Sequence, residues 1–261
     1  NPDDPASEFA EVCKPGSGWN TITISAYDTP NLTGETVPAD LRSLLLSEEW
    51  VRDKELRWKG RPRFTSRVLG EFPDVGVDTL ITPGMIRAAQ ERTLPLGLPA
   101  ILGVDVARFG SDRTVIALRR GPVVRIIGEY GKLATTETTG HVIAAKREHL
   151  ADEVRVDGVG VGGGVVDQLV EQGYDVLDMQ AGAAANDSEH YLNARAEWYW
   201  ALRQRFEAGD MDIDPGDDEL AAELGAIKYK FTARGQIQIE SKDEMRKRGL
   251  PSPDRADEIG R

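Results

Sequence analysis

The sequence is poor in the residues that build disulfides and zinc sites. It contains one cysteine, Cys13, and three histidines that show no ligand spacing among themselves. A lone cysteine cannot form an internal disulfide, and we expect it to pack rather than react. The sequence also has neither a run of eighteen apolar residues nor a charged and then apolar leader. We therefore expect a folded protein of the cytosol.

Acidic residues outnumber basic ones: the sequence has 44 aspartates and glutamates and 32 lysines and arginines, for a net charge of −12. Contacts to phosphate need basic side chains, so this balance argues at first against a nucleic-acid partner. That argument weakens if bound metal ions neutralise part of the acidic charge. A local basic run, for which a solvated helix face is the alternative, supplies candidate DNA-binding residues: Lys242, Arg246, Lys247 and Arg248.

The 261 residues allow one large or two modest domains, and the pattern along the chain changes twice. Residues 1–76 form a small mixed region, with a predicted strand over 21–26 and helical spacing over 40–58. Residues 77–98 are rich in glycine and proline, as in a connector, with a short helix over 85–91.

Residues 99–261 predict a mixed sheet flanked by helices, because three strands are followed by alternating helices and strands. A hairpin signal follows, with Gly235 where a positive φ is needed. The predicted strands cover 100–105, 114–119, 123–129, 154–157 and 175–179; the helices cover 136–150, 165–172 and 193–208; the hairpin strands cover 227–231 and 236–240.

Three acidic motifs carry the chemical signal. Asp105 ends an apolar strand, where an acid is costly to bury unless a cation meets it, although capping of the next turn is an equal alternative. Asp157 ends a second strand and opens a glycine-rich turn, which lacks the spacing and lysine of a P-loop; a tight contact between helix and sheet explains these glycines equally well. Asp254 and Asp257 share one face of a predicted terminal helix, and Asp254 also suits an N-cap.

Taken together, these acids predict a metal site. Two strand ends and one helix can converge at one end of a sheet, where carboxylates repel one another unless cations lie among them. Ligands that are all oxygen favour magnesium or manganese over zinc. Two such ions would support in-line hydrolysis of a phosphodiester.

The motifs resemble those of the large terminase subunits of tailed bacteriophages. The segments 103–112, 157–162, 240–244 and 252–257 are similar to the family's nuclease motifs, and segments 1–2, 21–30 and 70–73 to the end of its ATPase domain and linker. The resemblance spans nearly the whole chain. It implies an α/β, ribonuclease H-like nuclease domain over 99–261, preceded by a connector over 77–98 and a small α+β remnant of the ATPase and linker region over 1–76.

The resemblance also implies an activity and its residues. It implies metal ligands and catalytic residues at Asp105, Asp157 and Asp257, with Asp254 as a further candidate ligand for Mg²⁺ or Mn²⁺. The expected activity is cleavage of concatemeric double-stranded viral DNA in the host cytoplasm, with the hairpin near the DNA. Expected partners are the portal and the small terminase subunit, within a motor that forms a ring, although the fragment alone is expected to be a monomer.

The sequence departs from the family in two ways. It contains neither a Walker A nor a Walker B motif, so we expect the ATPase engine to lie upstream of residue 1 and no ATP hydrolysis by this chain. Few residues follow Asp257, so the helix that carries the third ligand is expected to fray and to bind metal less tightly.

Two other classes of protein compete with this interpretation. An actin-like or sugar-kinase-like nucleotide-binding domain also begins with a strand ending in aspartate, but it needs glycine soon afterwards, and Val106 and Ala107 stand there instead. A docking module without catalytic activity would use the acids only to cap turns. Stabilisation by ATP and not by manganese would favour the first alternative, and cleavage unaffected by Asp105→Ala the second.

Overall fold

A computed structural model describes residues 2, 3, 5, 7–73, 76–107 and 113–260. The chain divides into two compact units, Asn1–Thr79 and Leu80–Arg261. Within the described residues, no helix has both the length and the apolar character needed to cross a membrane. The assignment of the first unit to the end of an ATPase domain stays a prediction.

The first unit consists of short helical segments around a small core that includes Val51 and Val68. The predicted strand over 21–26 is wrong: residues 20–25 have no regular structure, and a strand needs a neighbour that the described part of this unit lacks. The predicted helix over 40–58 is two helices, because Ser47 caps a new start by accepting a hydrogen bond from the Trp50 amide. The segments are α1 Glu8–Val12, a 3₁₀ turn Ala26–Asp28, α2 Pro30–Thr33, α3 Ala39–Arg42, α4 Glu48–Trp58, α5 Pro62–Phe64 and a π-helical turn Thr65–Leu69.

The second unit is built on the predicted mixed sheet. Its described strands run in the order β3-β2-β1-β4-β5, with β1, β2 and β3 antiparallel and β1, β4 and β5 parallel. The antiparallel start and the later parallel strands are confirmed, although β5 is shorter than predicted. The strands are β1 Ala100–Asp105, β2 Arg113–Arg120, β3 Val123–Gly131, β4 Glu153–Val156 and β5 Leu177–Asp178.

Helices cover both faces of this sheet. Successive residues of a strand point to opposite faces, and the neighbours Ile116 and Ala117 of β2 accordingly belong to two separate cores. One core is shared with α7 and α8, and the other with α6, α9, α10, α11 and α12. These helices and the hairpin are α6 Pro83–Gln90, α7 Thr135–Glu148, α8 Gly162–Glu171, α9 Ala194–Ala208, α10 Asp218–Ala226, β6 Tyr229–Phe231, β7 Ile237–Ile239, α11 Lys242–Lys247 and α12 Asp254–Gly260.

Most of the predicted connector belongs to the second unit. Leu80, Ile81, Ile86 and Ala89 are buried in the core beneath α9 and α10, so the two compact units divide at Thr79. The predicted helix in this segment is confirmed as α6.

Gly103, in the middle of β1, allows α12 to lie directly against the sheet. A Cβ atom at Gly103 would stand 2.8 Å from Oε2 of Glu258 and 3.1 Å from its backbone oxygen. The side-chain oxygen can move aside, but the backbone oxygen moves only with the helix. The absence of a side chain at this position therefore sets how closely α12 approaches the sheet.

Gly103→Ala is expected to lower the free energy of unfolding by about 1–3 kcal/mol, because the added methyl group overpacks the contact with α12. Urea unfolding followed by circular dichroism measures the change. Gly131→Ala is the matched control, since a Cβ at that end of β3 meets nothing within 4 Å. Equal stabilities of the two variants would contradict this account of Gly103.

Candidate functional site

Asp105 and Asp157 lie side by side at one edge of the sheet. Their strands are parallel neighbours with Val104 opposite Val156, so the residue at the end of each strand reaches the same edge. The Asp157 amide donates to the Val104 carbonyl at 3.0 Å, which fixes this pairing. The sequence prediction that two strand ends bring their acids together is confirmed.

The glycines after Asp157 serve a tight turn. A Cβ atom at Gly158 would stand 1.9 Å from Oδ1 of Asp178, and one at Gly162 would stand 1.7 Å from the backbone oxygen of Asp157. Backbone atoms exclude a larger residue at Gly162, whereas a larger residue at Gly158 would require the Asp178 side chain to move. Gly162 is the first residue of α8 and packs on the carbonyl of the residue after β4, which fits the interpretation of these glycines as a close contact between helix and sheet.

The third acidic motif reaches the same edge from α12. Asp254 is the first residue of this helix, and its Oδ2 accepts a hydrogen bond from the Arg113 amide of β2 at 3.3 Å. Asp257 lies one turn later and is almost fully buried, with 2% of its surface exposed. The predicted terminal helix is confirmed, and it places both acids beside the sheet edge.

Lys242 meets three of these four acids. Its Nζ lies 2.9 Å from Oδ2 of Asp257, 3.7 Å from Oδ2 of Asp105 and 3.8 Å from Oδ1 of Asp254. Burial lowers the pKa of Lys242, but the carboxylates of Asp257 and Asp105 raise it more, so its net pKa lies above the usual range. The lysine therefore carries a full positive charge among the acids.

Lys242 reaches this position because it is the first residue of α11. Ser241 caps that helix by accepting from the Glu244 amide at 3.2 Å, and the Glu244 carboxylate accepts from the Ser241 amide at 2.9 Å. Hydrogen bonds from Lys230 and Ser241 lower the pKa of Glu244 to about 2. The sequence motif identified Lys242 only as a candidate DNA contact, and its place among the acids was not predicted.

These four acids and Lys242 line a cleft of about 700 Å³ at the sheet edge. Among the residues that the structure describes, no three His, Cys, Asp or Glu side chains form a ready ligand set for a metal ion. The ammonium of Lys242 supplies the positive charge between Asp105 and Asp257 instead. The oxygen donors themselves are of the type that hard divalent ions prefer, so the donor set fits magnesium or manganese.

The remaining sequence candidates lie elsewhere or outside the described residues. Arg246 pairs with Asp243 at 2.9 Å, and Arg248 donates to Glu240 at 2.8 Å, so both basic side chains have acidic partners. Lys247 is exposed at the end of α11. Residues 108–112 of the first acidic motif lie outside the described residues. A role in DNA binding for Lys247 and its neighbours stays a prediction.

Two residues of α9 were missed by sequence reasoning. Arg195 lines the cleft, and both Arg195 and Tyr199 donate hydrogen bonds to Asp257. They are spaced as any two residues on one helix face are, so the sequence carried no signal for this role.

The mixed sheet, the helices on both faces and the acids at one edge define a ribonuclease H-like fold. No protein-family model and no curated protein matches the sequence. Solved structures do match: the nuclease domain of the large terminase subunit gp2 of bacterial virus Sf6 shares 26% sequence identity at a TM-score of 0.63. The match covers 70% of this chain and 96% of that one.

Further solved structures extend this similarity to metal-bound nuclease domains. A mutant of the same Sf6 domain with manganese has 24% identity and a TM-score of 0.61, over 70% of this chain and 97% of that one. The large terminase nuclease of thermophilic phage G20c with bound magnesium has 14% identity and a TM-score of 0.53, over 71% and 96%. The resemblance to large terminase nuclease domains, indicated by the acidic motifs, is confirmed.

Glu223 of α10 is a partly buried acid beside the start of α12. Its Oε2 accepts a hydrogen bond from the Ala256 amide at 2.9 Å. Burial raises the pKa of Glu223 to about 8, and the charge of Asp254 adds to this, against the backbone amide of Ala256, which lowers it. The folded protein therefore keeps this carboxyl protonated at pH values where the unfolded chain ionises it.

Because its pKa is raised on folding, Glu223 should cost the protein stability as pH rises from about 4.5 to about 8. Glu223→Gln cannot ionise, so its melting temperature relative to wild type should increase steadily across this range. Thermal melts at several pH values in chelator measure the difference. Glu171→Gln, at the exposed end of α8, is the control, and a constant difference for Glu223→Gln would contradict the assignment.

Proposed function

We propose that this chain is a divalent-metal-dependent endonuclease that cleaves concatemeric double-stranded viral DNA during genome packaging. The observation that carries this proposal is the convergence of Asp105, Asp157 and the α12 acids at one edge of the sheet. The matched structures are nuclease domains of large terminase subunits, which supports a nuclease role in packaging.

In this proposal Asp105, Asp157 and Asp257 hold two Mg²⁺ or Mn²⁺ ions, and Asp254 is a further ligand. Bound there, the ions would supply an activated water and stabilise the leaving oxygen of the phosphodiester. Binding of Mn²⁺ and Mg²⁺ by the matched nuclease domains supports the choice of metal.

The protein's own residues prepare the cleft for this chemistry. Without a divalent ion, Lys242 neutralises part of the charge of Asp105 and Asp257, which would otherwise repel each other at close range. A divalent cation held by these acids would take over this neutralising role, since it would repel the ammonium of Lys242. Lys242 lines the cleft, where its ammonium also suits contact with a phosphate.

The wider setting follows from the terminase resemblance. We propose that DNA is the substrate and that the portal and the small terminase subunit are partners in a motor that forms a ring in the host cytoplasm. The chain by itself is proposed to be a monomer without ATPase activity, because its sequence contains neither a Walker A nor a Walker B motif.

The purified chain is expected to nick and linearise supercoiled plasmid with little sequence preference in Mn²⁺ or Mg²⁺, and to be silent in chelator. Asp105→Asn, Asp157→Asn and Asp257→Asn should each lower the rate by about 100-fold or more, because metal ions contribute several kcal/mol to stabilising the transition state. Gel electrophoresis of cleavage time courses measures the rates.

Asp243→Asn is the matched control, because Asp243 is an exposed acid next to Lys242 that pairs with Arg246. Cleavage that survives chelator would contradict metal-dependent catalysis, and cleavage that Asp105→Asn leaves unchanged would support a docking module whose acids only cap turns. Thermal stabilisation by ATP and not by Mn²⁺ would instead support the nucleotide-binding alternative.

A further inference from the structure

We propose that Arg195 and Tyr199 of α9 are positioning residues that orient the Asp257 carboxylate, so that it offers its Oδ2 oxygen to the cation site. The inference rests on the proposed function. It assigns α9 a part in metal binding that none of the three acidic motifs includes.

The two side chains reach Asp257 from one face of α9. The side chain of Asn193 caps this helix by accepting from the Ala196 amide at 3.0 Å. Arg195 and Tyr199 lie four residues apart within the helix, so they are neighbours on its surface. The guanidinium carbon of Arg195 lies 5.0 Å from the centre of the Tyr199 ring.

Both residues contact the same oxygen of Asp257. The Tyr199 hydroxyl donates to Oδ1 at 2.5 Å, and Nη2 of Arg195 donates to Oδ1 at 3.3 Å. Nη1 of Arg195 donates to the Glu240 carbonyl at 2.5 Å, so the plane of the guanidinium is fixed from a second side. Oδ1 is therefore held by donors on a rigid helix.

The other oxygen of Asp257 faces the ammonium of Lys242. Oδ2 is 2.9 Å from the ammonium of Lys242, the positive charge among the acids. With Oδ1 held by α9, rotation of the carboxylate about its last bond costs the two hydrogen bonds. Asp257 is thus set to bind a metal ion through one oxygen.

The Tyr199 hydroxyl can be separated from the packing of the Tyr199 ring. The ring is buried in the core beneath the sheet, with 2% of the residue exposed, and phenylalanine fills the same space. Hydrogen bonds that orient a metal ligand typically contribute about 10- to 100-fold in metal affinity or activity. If Tyr199→Phe weakens Mn²⁺ binding while its melting temperature in chelator stays close to that of wild type, the lost hydroxyl acts by orienting the metal ligand.

The test compares Mn²⁺ binding by wild type, Tyr199→Phe and Arg195→Lys, using isothermal titration calorimetry on the whole chain. Tyr199→Phe is expected to weaken Mn²⁺ binding by about 10-fold or more. Arg195→Lys keeps the charge but cannot contact Asp257 and Glu240 together, so weaker binding is expected there as well. The Mn²⁺ concentration for half-maximal plasmid cleavage should rise by the same factor, while the maximal rate falls less.

Tyr174→Phe is the matched control, because it removes a hydroxyl that accepts from Arg147 at 2.7 Å on the other side of the sheet. Its Mn²⁺ affinity should equal that of wild type, and melting temperatures in chelator should show that all variants are folded. If Tyr199→Phe destabilises the fold, Arg195→Lys decides the question.

The outcomes separate this inference from the proposed function. Wild-type affinity in both α9 variants overturns the positioning role and leaves the nuclease proposal standing. Failure of the wild-type chain to bind Mn²⁺ overturns both.

Discussion

Carboxylates gathered at one end of a sheet repel one another unless a cation lies between them, and the architecture of the second unit follows from this constraint. Asp105 and Asp157 meet because β1 and β4 are parallel neighbours, and α12 adds Asp257 from the side. The excess negative charge is met by Lys242 from α11. Residues from β1, the end of β4, α11 and α12 therefore meet at one cleft.

Close approach of backbones makes this arrangement feasible. Gly103 lets α12 lie on β1, and Gly158 and Gly162 let the chain turn sharply after Asp157. In each case the close approach is possible because the glycine has no side chain. The acids are conspicuous in the sequence, but the glycines determine whether they converge.

The sheet and the convergence of the acids at one edge were predictable because both depend on local patterns. The strands that end in Asp105 and Asp157 can be recognised because each is an apolar segment followed by an acid that is costly to bury. The strand predicted over 21–26 failed, because β-branched composition specifies a strand only where a neighbour exists to pair with it.

The place of Lys242 and the donors on α9 could not be predicted, because each depends on packing between elements far apart in the sequence. A basic run such as 242–248 has the same composition whether it faces solvent, DNA or a cluster of acids. The Ser241 cap and the position of α12 determine that Lys242 faces the acids, and neither can be read from the composition of the run.

The docking of α12 determines whether the cleft is complete. Detachment of one helix exposes less surface than unfolding of the whole unit, so it costs less free energy. Detachment of α12 removes Asp254 and Asp257 from the cleft while β1 and β4 keep Asp105 and Asp157 in register. Contacts made to this one helix can therefore switch the cleft between assembled and incomplete states without disturbing the sheet.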